Sequence, residues 1–173
     1  MTRRFLLFPM VFAVMLSLVS ASQAEDLENM LYMNLESGRV TIKLRPDLAP
    51  NHVERIKELA REGFYDGVVF HRVIPGFMAQ TGDPTGTGSG GSGQNLKAEF
   101  TLTPHVRGTV SMARAQSPDS ADSQFFFVYD TAPHLDGQYT VWGEVESGME
   151  HVDALPKGEP PANPGKIKKA TVA

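Results

Sequence analysis

Cysteine is absent from all 173 residues. That excludes disulfides, thiol nucleophiles, Cys-ligated zinc and iron–sulfur clusters. It also excludes a lipid anchor on an N-terminal cysteine. Positive charge is in short supply, with 16 basic residues against 20 acidic ones and a formal net charge of −4. Such a chain lacks the basic surface that duplex nucleic acid rewards. Long hydrophobic runs are scarce as well. Phe5 to Val19 stands out, but its 15 residues fall short of the ~20 needed to span a bilayer. The 21% charged fraction and mixed alphabet exclude a disordered tail, a collagen or a coiled coil. What remains is a length that fits one domain and can bury a core without covalent staples.

The apolar run belongs to an address label. Arg3-Arg4 precedes it, and the small, polar stretch Ser20-Ala21-Ser22-Gln23-Ala24 follows it. These are the three regions of a cleavable secretory signal, with Ser22 and Ala24 at the −3 and −1 positions of the cut. Val19 and Ala21 offer a second cut. Pro9 inside the run disfavours a buried helix. Residues 1–24 are therefore expected to be removed, leaving 25–173 as one exported domain. That domain holds 14 basic and 20 acidic residues, a formal charge of −6. The expected location is the periplasm, with secretion as the alternative, without stable membrane insertion after processing.

Leu31, Met33 and Leu35 alternate with polar neighbours, as do Val40, Ile42 and Leu44. Glu36-Ser37-Gly38-Arg39 separates the two runs, which predicts an antiparallel hairpin with one buried face. Val53, Ile56, Leu59 and Ala60 fall on one face of a helix over 51–62, opened by Pro50 and stopped by Gly63. Strands are expected over 68–74, 108–113, 124–128, 139–145 and 166–172, and a short helix over 148–155. Many short strands and two helices predict a mainly β chain, a barrel or sandwich with helical plugs.

Gly86-Thr87-Gly88-Ser89-Gly90-Gly91 matches a dinucleotide-binding fingerprint in letters. It lacks the strand before it and the helix after it, and reads as a flexible surface loop. The five histidines show no metal-ligand spacing. His71 reads as a hydrogen-bonded structural histidine. No G-x-S-x-G supports a hydrolase. Phe125-Phe126-Phe127 sets Phe126 opposite its neighbours in a strand. Both faces must then meet apolar material: either plain core on both sides, or core on one and a pocket on the other. Arg72, in the apolar run 68–74, needs a partner or an opening to solvent. It is either a salt-bridged core arginine or a guanidinium poised over an apolar floor.

These segments together resemble the cyclophilin family of peptidyl-prolyl cis–trans isomerases. The likeness spans essentially the whole of 25–173. It rests on Glu62-Gly63-Phe64-Tyr65-Asp66-Gly67, Phe70 to Asp83, Gly108 to Ala113, Ser123-Gln124-Phe125-Phe126, Leu135-Asp136-Gly137 and Val141 to Val145. Ala113-Arg114-Ala115 and the short loops look bacterial.

The resemblance implies a closed eight-stranded antiparallel β-barrel capped by two α-helices. It implies that Arg72 is the catalytic arginine, stabilising the pyramidal proline nitrogen. Gln80 would contact the substrate backbone and position Arg72. Phe77, Met78, Phe126 and Leu135 would wall the proline pocket, with Tyr139 closing it. Ala113 and Gln124 would line the neighbouring groove, and the main chain at Arg114 would bind the peptide. The pattern departs at Tyr139 (histidine in many eukaryotic members), His134 (tryptophan or phenylalanine), Thr81 (glycine) and Trp142 (phenylalanine). No cofactor or metal is implied. The implied partners are proline-containing segments of folding proteins, met by a monomer. The competing class is a non-catalytic holdase using the same groove, which would have no need of the arginine.

Overall fold

The computed structural model describes residues 27–173. The expected signal over 1–24 lies outside the described residues. Eight antiparallel strands form one sheet. They are β1 (Met30–Asn34), β2 (Arg39–Leu44), β3 (Arg72–Ile74), β4 (Met78–Thr81), β5 (Thr109–Met112), β6 (Phe125–Val128), β7 (Val141–Ser147) and β8 (Lys169–Val172). Their order across the sheet is β3-β4-β6-β5-β7-β2-β1-β8. Two α-helices, α1 (Pro50–Arg61) and α2 (Met149–Asp153), pack against it: α1 lies on β7 and β8, and α2 on β2.

Period-2 alternation sets the hairpin register. Leu31 pairs with Ile42 and Met33 with Val40, and all four are fully buried. In α1, Val53, Ile56, Leu59 and Ala60 form the buried stripe, as the 3.6-residue period requires. The expected strand over 68–74 is shorter, since β3 starts at Arg72 and Val69 makes an isolated bridge to Lys166. The periodicity reading also passed over β4. A turn at Pro75-Gly76, with Gly76 at φ +70°, folds the chain back so that β4 pairs with β3. In so short a hairpin each strand shows too few alternations to read.

The closed barrel is corrected to an open half-barrel. The ladder has two edges, β3 and β8, which do not pair with each other. Segment 156–167 spans the gap through isolated contacts, Val69 with Lys166 and Val73 with Gly158. Pro156, Pro160, Pro161 and Pro164 have no N–H to donate, so that segment cannot make a continuous ladder.

The core divides in two. The larger part holds Phe125, Phe127, Trp142, Tyr65 and Phe70 with the aliphatics of the hairpin and α1. A smaller cluster on the other face of β4 and β6 holds Met78, Phe126, Val128, Ala132 and Leu135, with Phe77, Ala113 and Tyr139 packed against it. The three consecutive phenylalanines split between the two, as the strand geometry demands. At the end of β4, Gly82 sits at φ +89° and a Cβ there would lie 2.3 Å from the Ser123 carbonyl oxygen. Only a glycine permits that approach, which draws β4 against the start of β6.

Candidate active site

The second cluster opens to solvent as a cleft of about 690 Å³. Met78, Phe126 and Leu135 form its floor and are 2%, 5% and 6% exposed. Phe77 packs against His134, with ring centres 5.5 Å apart and planes tilted by 33°. Tyr139 stands edge-on to Phe126, with centres 5.8 Å apart. Arg72, Gln80, Ala113 and Arg114 complete the wall. Nine of the ten site residues expected from the sequence thus share one cleft. Gln124 lines an adjoining depression of about 340 Å³, which Gln80, Ala113 and Arg114 also border.

Arg72 opens β3 with its side chain 42% exposed. It stands across from Gln80 in the β3–β4 ladder. Among the described residues no hydrogen bond joins Gln80 to Arg72. The Gln80 amide donates instead to Gln124 Oε1 at 2.9 Å. Gln124 in turn donates to the carbonyls of Gly88 and Gly90 at 3.0 and 2.8 Å. The anchor of Arg72 is Glu159, whose Oε2 accepts the Nε–H at 2.6 Å. Glu159 sits in the proline-rich segment, 87 residues away in sequence, and no periodicity or motif marks it. The resemblance missed it for the same reason.

Arg114 is tied down as well. Its Nε donates to the Gln138 carbonyl at 3.0 Å and its Nη1 to those of Ala115 and Gln116. The guanidinium carbon lies 4.7 Å over the Tyr139 ring. The side chain is therefore a brace behind Tyr139.

Two buried histidines bear on the site. His71 lines the cleft, is 7% exposed, and neither ring nitrogen has a partner among the described residues. The expected hydrogen bond is thus missing. The nearby carboxylate of Asp83 is committed elsewhere, accepting from Thr85 and from the N–H groups of Gly88 and Gly90. Burial holds His71 below the usual imidazole range, with Asp83 opposing the shift and Arg72 adding to it. The same Asp83 bonds tie down the glycine-rich loop that the sequence read as flexible. Burial works to raise the Asp83 pKa, but the Thr85, Gly90 and Gly88 donors outweigh it and hold the carboxyl well below the usual range.

His105 lies beneath the floor. Its Nδ1 is 2.9 Å from Asp136 and its Nε2 3.1 Å from the Ser111 hydroxyl. Burial depresses its pKa, against the pull of Asp136. Its Nδ1–H donates to the Asp136 carboxylate. The Ser–His–Asp order has the look of a nucleophilic triad. Ser111, however, is fully buried and its hydroxyl also faces the Thr140 carbonyl at 2.9 Å. No substrate reaches it, so the network is a support.

The family model for cyclophilin type peptidyl-prolyl cis-trans isomerase/CLD matches residues 30–172. A probable peptidyl-prolyl cis-trans isomerase of Brucella suis biovar 1 is 51% identical over 177 aligned positions, covering 92% of this chain and 90% of its own. Peptidyl-prolyl cis-trans isomerase B of Bacillus subtilis is 47% identical, covering 74% of this chain and 91% of its own. Among solved structures, a Cryptosporidium parvum cyclophilin crystallised in the presence of the dipeptide Ala-Pro superimposes with a TM-score of 0.78 at 30% identity, over 83% of this chain and 98% of that one.

Proposed function

This chain belongs to the cyclophilin-type peptidyl-prolyl cis–trans isomerases, and on that footing we propose how its cleft works. The bond it turns resists rotation by ~18–20 kcal/mol because of C–N resonance. In the twisted transition state the proline nitrogen turns pyramidal and gains a lone pair. A donor aimed at that nitrogen binds the transition state better than the planar ground state, which is the differential that catalysis requires. Arg72 supplies the donor as a permanently charged planar fork. Phe77, Met78, Phe126 and Leu135 hold the proline ring while the preceding carbonyl swings. Gln80 and the Arg114 main chain hold the flanking peptide, and Ala113 and Gln124 line the groove beside it. No nucleophile or proton transfer is required.

Support comes from Arg72 itself. A guanidinium at the wall of an apolar cleft, 42% exposed, has no evident packing role. The Ala-Pro dipeptide named with the Cryptosporidium protein fits a cleft of this character, so the substrates are proline-containing segments of unfolded or folding proteins. The pattern of residues 1–24 supports cleavage of a signal and work on exported proteins in the periplasm, by a monomeric 25–173 domain. N-terminal sequencing of the exported protein and its sedimentation mass test those two points.

The deciding experiment is a protease-free isomerisation assay on Arg72→Ala. Loss of one preorganised donor lowers kcat/KM by about hundredfold or more, while circular dichroism and the melting temperature stay native. Full activity in a folded variant would overturn the mechanism.

A further inference from the structure

Chain geometry around Arg72 has a feature that the substrate pocket alone does not explain. Val73 and Gly158 exchange both backbone hydrogen bonds, Val73 N–H to Gly158 O at 2.8 Å and Gly158 N–H to Val73 O at 2.9 Å. One step along that antiparallel register, Arg72 and Glu159 face each other. Glu159 takes the Nε–H at 2.6 Å. Both side chains also border the cleft.

A guanidinium offers five N–H donors in a rigid plane. Engaging Nε leaves both terminal nitrogens available. Among the described residues Arg72 makes no other side-chain hydrogen bond, and Gln80, its ladder neighbour, gives its amide Nε2 to Gln124. Without Glu159 the long side chain would have its full rotamer freedom at the moment the substrate arrives. The two side chains are 42% and 52% exposed, so the pair adds little to folding stability. When a peptide covers the cleft and excludes water, the same pair strengthens and stiffens.

We propose that Glu159 is the positioning residue of Arg72. It holds the guanidinium by its Nε edge and so orients the terminal N–H groups toward the proline nitrogen. The proposal rests on the reading of Arg72 as the donor. It predicts an effect on turnover rather than on binding, because proline-ring contacts are untouched.

The test uses purified protein carrying Glu159→Ala or Glu159→Gln, with kcat and KM measured separately. Glu159→Ala lowers kcat about tenfold, the scale of one lost charge-assisted hydrogen bond, and moves KM by less than about twofold. Glu159→Gln keeps an acceptor oxygen and restores most of the rate. In 15N–1H spectra the Arg72 Nε–H signal, assigned by its disappearance in Arg72→Lys, exchanges faster with water in Glu159→Ala and stays protected in Glu159→Gln. A native kcat in Glu159→Ala overturns the proposal, as does a loss carried by KM or one that glutamine does not restore. Should Arg72→Ala be active, the donor reading itself falls. Should Arg72→Ala be inactive and Glu159→Ala native, Glu159 alone loses its role.

Discussion

The imidazole of His105 lies nearly parallel to the ring of Phe126, with centres 6.3 Å apart and planes 19° apart. The floor of the cleft thus rests on a polar platform. Asp136 and Ser111 fix the imidazole from its two nitrogens, and Asp136 also accepts the His105 backbone N–H at 2.8 Å.

Removing that platform has two consequences. His105→Ala leaves a void under Phe126 and removes the ring's contacts with Asp136 and Ser111. The expected cost is about 2–4 kcal/mol of folding stability. Chemical denaturation measures it. Where the variant is still folded, a proline peptide binds more weakly, because Phe126 is free to change rotamer. An unchanged denaturation midpoint would show that the platform does not support the floor.

Acid should weaken the fold before carboxylates titrate. Burial lowers the folded pKa of His71 and of His105 from an ordinary value of 6.5. As pH falls, the unfolded chain therefore takes up protons first. Stability is complete above about pH 6.5 and declines below it, until the folded pKa values are passed. The slope is at most about 1.4 kcal/mol per pH unit for each histidine. Melting temperatures between pH 8 and 5 check this, and His71→Gln should flatten the decline. A flat profile in the unmodified protein would refute it.

Arg114 and Tyr139 form the third test. Three carbonyls hold the guanidinium in place over the tyrosine ring. Arg114→Ala takes away this brace, while the peptide main chain at 114 remains. KM should rise by about threefold to tenfold, the scale of one exposed cation–π contact with its hydrogen bonds, with kcat nearly unchanged. Steady-state kinetics at several peptide concentrations decide it. A fall in kcat alone would instead place Arg114 with Arg72 in the chemistry.

Much of the fold was legible from short stretches of chain. The hairpin of β1 and β2 shows in its alternation, and α1 in its stripe of Val53, Ile56 and Leu59. The opposed faces of Phe125 and Phe126 require apolar material on both sides of β6, and the two clusters supply it. By contrast β4 was missed, because four residues after a tight turn carry too little pattern. His71 lacks, among the described residues, the partner its sequence setting suggests, since the sequence does not reveal that Asp83 is already occupied by the loop after it.

The sequence by itself determined the element types, the two-sided β6 and the family, because those depend on local periodicity and on residues clustered in short motifs. Tertiary structure decided that the sheet stays open between β3 and β8, that Gln80 bonds to Gln124, and that Glu159 takes hold of Arg72. Each depends on how segments far apart in the chain meet. Such meetings follow from the path of the whole backbone and from the competition for a limited set of donors and acceptors, and no local pattern encodes them.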